Sequence, residues 1–349
     1  MSQKQDQVIL VTGSSGFIAT HIVEDFLRAG YHVRGTVRSS ATAELVRQSF
    51  SQFTPRLSFV IVEDMGKPGA FDEAVQGVQG VIHTATPFQI FNVADNERDL
   101  LRPAIDGTIN LLNSVLNHAP EVKRVVVTSS FAAMVDITKG SWPGHVYSEA
   151  DWNTTPYEVA AAKGAPAGLA YTTAKALAER AAWDFMKSNK PNFDLATIMP
   201  PMVYGPNINA TASLAKLNTS SSDIYRLISS QTKSSDEVPQ NMFWSFVDVR
   251  DVSKAHLRAY EVPEAGGERF FVCTGNFTYQ QFVDALRERI PEIQDRVPIG
   301  KPGTGAVPSS VYTIDNTKSQ EVLGIQYHAL EDTVVDAARS LLELERKSV

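Results

Sequence analysis

Short, apolar, largely β-branched runs punctuate the first 200 residues at 8–11, 31–37, 57–62, 80–84, 123–128 and 193–198. Between them lie longer stretches in which apolar residues recur at helical spacing, as at 17–29, 98–118 and 172–188. Strand, helix, strand repeated in this way predicts an α/β chain with a parallel sheet and helices on both faces. Right-handed crossovers make such a sheet doubly wound. After Pro200 the rhythm breaks. Residues 205–240 are rich in Asn, Ser and Thr and read as loops with a short helix. A strand-then-helix pattern returns at 243–261, and a C-terminal helix is expected near 330–345. The division expected is a nucleotide-binding domain at 1–200, rejoined by 246–261, and a smaller substrate-covering part at 201–349.

The first strand–helix junction reads VTGSSGFIAT, from Val11 to Thr20. Glycines let a backbone turn tightly and approach a ligand closely. The N–H groups and dipole of the following helix attract an anion such as a pyrophosphate. Gly13 and Gly16 meet that need, with Ala19 at the third small position. The spacing is G-x-x-G-x-x-A rather than G-x-G-x-x-G. The end of the second strand, YHVRGTVRSS, carries no acid between Arg34 and Ser40 to hold a ribose hydroxyl. It ends in Arg38, whose planar fork of donors suits a 2′-phosphate, so NADPH/NADP+ is favoured over NAD.

Of ten tyrosines, only Tyr171 is followed four residues later by a lysine, Lys175, in YTTAK. Positions i and i+4 share a helix face, and an adjacent ammonium lowers a phenol pKa from its usual ~10. The apolar strand in KRVVVTSSFAAM ends in Ser129 and Ser130. Ligands of doubly wound sheets bind beyond the carboxyl ends of the strands, where such hydroxyls emerge. Taken singly, each motif also fits a bland role: a tight turn, a solvated arginine, a surface pair on a helix, a polar strand end.

Composition narrows the remaining classes. At 43% hydrophobic and 20% charged residues, the chain is globular rather than disordered. A net charge of −7 without a Lys/Arg block argues against nucleic acid or an anionic membrane as partner. No apolar run approaches the ~20 residues of a membrane span. The single cysteine, Cys273, excludes an internal disulfide, and the polar start MSQKQDQ lacks the apolar core of a signal peptide. A cytoplasmic protein is expected, in which the sequons at Asn153, Asn209 and Asn276 are chance matches. Seven scattered histidines with no HxxxH pair give a metal little support.

TGSSGFIA, TSS and YTTAK, in this order, resemble the short-chain dehydrogenase/reductase superfamily. VIHTATP, PAIDGTINLL and TIDNTKSQEVLG are similar to its extended type, in the branch of dihydroflavonol reductases and fungal NADPH carbonyl reductases. The resemblance implies a Rossmann domain with a smaller C-terminal domain. It also implies stereoselective reduction of a ketone or aldehyde by hydride transfer from NADPH. By position, Ser130, Tyr171 and Lys175 match the catalytic serine, tyrosine and lysine. Gly13, Ser15, Gly16, Phe17 and Ile18 match the pyrophosphate loop, and Asp64 and Met65 the adenine contact. Thr84, Ala85 and Thr86 match fourth-strand cofactor contacts, and Pro200 and Val203 the nicotinamide-side loop. Phe88, Phe131, Tyr204, Met242, Phe243 and Trp244 fall on segments that family members use around the substrate, which suggests an apolar ketone or aldehyde. Each of those six fits ordinary core equally well. Ala19 departs from the usual third glycine, and the cysteine-bearing signature of cinnamoyl-CoA reductases is missing after YTTAK.

Two other functions share this fold. A nucleotide-sugar epimerase or dehydratase would carry an acid where Arg38 stands and basic residues for a diphosphate where 205–240 is polar and serine-rich. A non-enzymatic NADP sensor would tend to lose the Tyr–Lys pair, which is present. A monomer or homodimer is expected.

Overall fold

The computed structural model describes residues 4–86, 93–210 and 212–347. Its strands are β1 (Val8–Thr12), β2 (His32–Val37), β3 (Leu57–Ile61), β4 (Gly80–His83), β5 (Arg124–Thr128), β6 (Val146–Tyr147), β7 (Asp194–Met199), β8 (Met202–Tyr204), β9 (Ser245–Asp248), β10 (Arg269–Phe271), β11 (Gly275–Asn276) and β12 (Thr313–Ile314). Its helices are α1 (Phe17–Arg28), α2 (Ser40–Ser49), α3 (Arg102–His118), α4 (Tyr157–Ala161), α5 (Ala167–Asn189), α6 (Thr219–Ile228), α7 (Val249–Glu261), α8 (Tyr279–Arg289), α9 (Thr317–Glu321) and α10 (Leu330–Lys347).

Among the described residues, seven strands form one parallel sheet in the order β10-β7-β5-β4-β1-β2-β3. Alternate side chains along each strand enter different cores, as a period of two requires. Ile9, Val11, Val126 and Ile198 face α1 and α7. Leu10, Val125, Val127 and Leu195 face α3 and α5. The chain runs outward from β1 to β3 and then returns to β4 beside β1, so strand order reverses there. That reversal opens a crevice beyond the carboxyl ends of β1 and β4. The chain thus has the doubly wound Rossmann-like architecture that its apolar pattern predicts.

A separate core joins α6, α8 and α10 around Tyr204, Phe246 and Phe277. Two small sheets, β11-β9-β8 and β12-β6, lie outside the large one. The return expected at 246–261 is divided. Its helix, α7, covers the large sheet beside α1, whereas its strand, β9, pairs with β8 and β11. The edge of the large sheet is taken by β10 instead, in register with Thr197–Met199 of β7. Asp248 explains the split, because its carboxylate accepts from the Arg250 N–H and starts α7 directly after β9. Among the described residues, no helix is long and apolar enough to cross a membrane.

Candidate active site

β1 ends in Thr12, whose hydroxyl organises the crevice. Thr12 Oγ1 accepts the N–H groups of Thr84 (3.1 Å) and Ala85 (3.0 Å). With two donors received, its own proton goes to His83 Nδ1 at 2.9 Å, which places the histidine proton on Nε2. The Thr84 hydroxyl donates back to the Thr12 carbonyl. These bonds join the loops after β1 and β4. Gly13 lies in the left-handed region at φ +65°, and a Cβ there would come within 3.2 Å of Ala85 Cα and Cβ. Only glycine fits this approach. Ser15, Phe17 and Ile18 are half-buried beside the exposed Gly16, as are Thr84, Ala85 and Thr86 across the crevice.

Gly16 starts α1 without any capping side chain, and the first turn holds no acid. The helix N–H groups and dipole are therefore left for an anionic ligand. At the end of β2, Arg38 and Ser39 are exposed, and Ser39 caps α2 by accepting from Thr42 N–H at 3.2 Å. The chemistry of these groups fits a dinucleotide with a 2′-phosphate: amide donors for the pyrophosphate, a guanidinium for the phosphate. Asp64 is exposed and caps its own turn through Gly66 N–H. Met65 is half-buried, and its methyl lies where a Cβ on Gly107 of α3 would fall, 2.3 Å away.

Ser130 emerges beyond β5. The Ser129 N–H donates to Ile198 O at 2.8 Å and the Phe131 N–H to Pro200 O at 2.9 Å, so the loop after β7 fixes the serine. Ser130 Oγ accepts from Ala132 N–H at 3.1 Å, leaving its own proton to donate. Tyr171 and Lys175 stand one turn apart on α5. The Tyr171 hydroxyl is hydrogen-bonded to Ser130. Lys175 is 7% exposed and donates to Thr128 O at 3.2 Å. Tyr171, through Ser130, and Lys175, through the Thr128 carbonyl, are thus both anchored at the carboxyl end of β5.

The electrostatics differ from the simple expectation for a Tyr–Lys pair. Burial raises the Tyr171 phenol to about 12, and the Ser130 hydrogen bond opposes it. Burial lowers Lys175 to about 8, against the field of Glu179. His83 is held neutral, at about 3, first by burial and then by the Lys175 charge. The ammonium aims at the Thr128 carbonyl, and burial dominates at the phenol. At neutral pH, Tyr171 therefore carries its proton, the form a proton donor needs.

The substrate-side residues separate. Phe131 stacks on Phe271 at 5.1 Å and meets Tyr147 edge-on at 4.9 Å, and Trp244 packs against the same cluster. Met242 and Phe243 are 86% and 49% exposed beside Trp244. Tyr204 lies elsewhere. It is 1% exposed in the core of α6, α8 and α10, and its hydroxyl donates to Asp223 at 3.2 Å. Val203 is buried in the large-sheet core, and Pro200 is buried at the end of β7. Phe88 lies outside the described residues.

Glu179 and His83 escaped the motif reading. Both line one cavity with Lys175, Thr108, Thr128 and Ser129. Glu179 had a signal in the sequence, since it lies four residues past Lys175 and shares its face.

The model of the NAD dependent epimerase/dehydratase family matches residues 9–273. The ketoreductase azaE of Aspergillus niger is 41% identical, over 96% of this chain and 97% of its own. The NADPH-dependent methylglyoxal reductase GRE2 of Saccharomyces cerevisiae is 37% identical, over 97% of this chain and 98% of its own. A crystal structure of yeast methylglyoxal/isovaleraldehyde reductase Gre2 with NADPH superposes with a TM-score of 0.90 at 36% identity, covering 98% of this chain and 100% of that one. The chain belongs to the NAD dependent epimerase/dehydratase family, the extended short-chain dehydrogenases/reductases, and is similar within it to fungal NADPH-dependent reductases.

Proposed function

We propose that this chain reduces a ketone or aldehyde stereoselectively to an alcohol with NADPH. The observation that carries the reading is the Tyr171 hydroxyl, protonated and bonded to Ser130, one turn from Lys175. The relatives named for NADPH-dependent and ketone reduction support it over their full length. Gly13, Ser15, Gly16, Phe17 and Ile18 hold the pyrophosphate, and Arg38 the 2′-phosphate. Asp64 and Met65 border the adenine, and Thr84, Ala85, Thr86, Pro200 and Val203 border the rest of the cofactor. When bound, NADPH supplies the hydride that adds to the carbonyl carbon.

The chain's own groups manage the oxygen. Ser130 donates to the carbonyl oxygen and polarises it. Tyr171 gives its proton to that oxygen as the C–O π bond opens, so the product leaves as a neutral alcohol. We assign to Lys175, one turn along α5, the stabilisation of the phenolate that forms and a contact to the nicotinamide ribose. The phenolate then regains a proton from solvent. Phe131 and Trp244, with the exposed Met242 and Phe243, offer apolar contact and no cation for a carboxylate.

Substrate choice tests this reading. Bulky aryl ketones, diketones and apolar aldehydes are expected to show kcat/KM at least tenfold above pyruvate-like 2-oxo acids, because apolar burial without counter-charges favours them. Loss of NADPH absorbance across such a panel measures it. A preference for 2-oxo acids or a UDP-sugar would overturn the assignment.

A further inference from the structure

Behind the Tyr–Lys face lies a carboxylate with an unusual number of partners. Glu179 stands one turn beyond Lys175 on α5, and its side chain is 1% exposed. Its Oε2 accepts from the hydroxyl of Ser129 on the strand-end loop after β5. Its Oε1 accepts from Thr197 Oγ1 of β7 (3.0 Å), from Trp183 Nε1 (3.3 Å) and from Arg269 Nε of β10 (2.7 Å). A charge is rarely buried so deeply unless it is paired and hydrogen-bonded, and this one is both.

We propose that Glu179 is a positioning residue for the reducing centre: it ties the serine-bearing end of β5 to the helix that carries Tyr171 and Lys175, and its carboxylate supplies the counter-charge for the Lys175 ammonium. The inference rests on the Ser130–Tyr171–Lys175 reading above. Geometry favours it over a plain core ion pair. Arg269 has other support, donating to the carbonyls of Glu149 and Asp151 and lying over the Trp152 ring at 3.6 Å. Ser129, by contrast, immediately precedes Ser130, so its bond to Glu179 fixes the peptide that presents the reacting hydroxyl.

Among the described residues that line the cavity with Lys175, Glu179 is the one acid. From β4 comes His83, which is neutral. From β5 come the Thr128 carbonyl and Ser129, and from α3 the Thr108 hydroxyl. From α5 come Tyr171 and Glu179. Arg269 pairs with the same carboxylate through Oε1 at 2.7 Å and so offsets part of the charge that Glu179 presents to Lys175. Removing Glu179 should therefore release the Lys175 proton at lower pH, and removing Arg269 should retain it to higher pH.

The test is the alkaline limb of the kcat–pH profile, measured with saturating NADPH and a good ketone. Glu179→Gln keeps the shape and removes the charge. Its limb should move to lower pH by about one unit, with a fall in kcat that exceeds any change in NADPH affinity. Arg269→Gln should move the limb the other way, by a smaller amount. If Glu179→Gln does not fold, Arg269→Gln decides alone: an upward shift supports the role and an unmoved limb refutes it. A folded Glu179→Gln enzyme with lower thermal stability and an unmoved limb would make Glu179 purely structural and overturn the proposal. A wild type with no alkaline limb, or one that survives Lys175→Met, would instead sink the parent mechanism and this inference with it.

Discussion

Tyr171→Phe is expected to lower kcat for ketone reduction by about 10²- to 10⁴-fold, the usual worth of a positioned general acid. The substitution keeps the ring and removes only the hydroxyl that meets Ser130. NADPH affinity should stay within a few-fold, because the groups proposed for the pyrophosphate and 2′-phosphate, the glycine loop and Arg38, follow β1 and β2 rather than lie on α5. Binding followed by quenching of protein fluorescence, beside steady-state turnover, separates the two effects. Turnover within tenfold of the wild type, with NADPH still bound, would mean that the proton comes from elsewhere and that the Tyr–Lys spacing is incidental.

Arg38→Asp should raise the KM for NADPH by about 100-fold or more, since it removes a charge-assisted contact and sets a carboxylate against the 2′-phosphate. NADH lacks that phosphate, so its KM should change far less, and the ratio of kcat/KM for the two cofactors should shift toward NADH. Arg38 is exposed just past the end of β2, so the variant should fold as the wild type does, and its melting temperature checks this. Equal losses with both cofactors would remove Arg38 from phosphate recognition.

Much of this architecture is legible in the apolar pattern. The runs at 8–11, 57–62 and 123–128 became β1, β3 and β5 within a residue at each end, and the stretch at 17–29 became α1. Buried parallel strands announce themselves because both faces are covered. The tertiary destination of a strand is less legible. The run before α7 pairs in a small sheet, and the short β10 takes the sheet edge, because three residues can form an edge without any periodic signal. The same limit applies to side chains. Tyr204 neighbours the PPMV segment in sequence, yet its ring turns into the core around Phe277 and Phe282. Glu179 shows a related case: its spacing sets it on the Lys175 face, but its partners on β7 and β10 emerge only once those strands are placed against α5. The Tyr–Lys spacing alone predicts a lowered Tyr171 phenol, and burial raises it instead, which no spacing reveals.

The central claim, that this chain moves hydride from NADPH to a carbonyl carbon, is tested most directly by isotope transfer. Purified protein would be given NADPH deuterated at the reactive face of nicotinamide C4 and an aryl ketone, and the alcohol analysed by mass spectrometry and chiral chromatography. One deuterium at the carbinol carbon of a single enantiomer, formed in step with NADPH consumed, is the result expected. Bound NADPH with no labelled alcohol from any ketone or aldehyde tried would contradict the account.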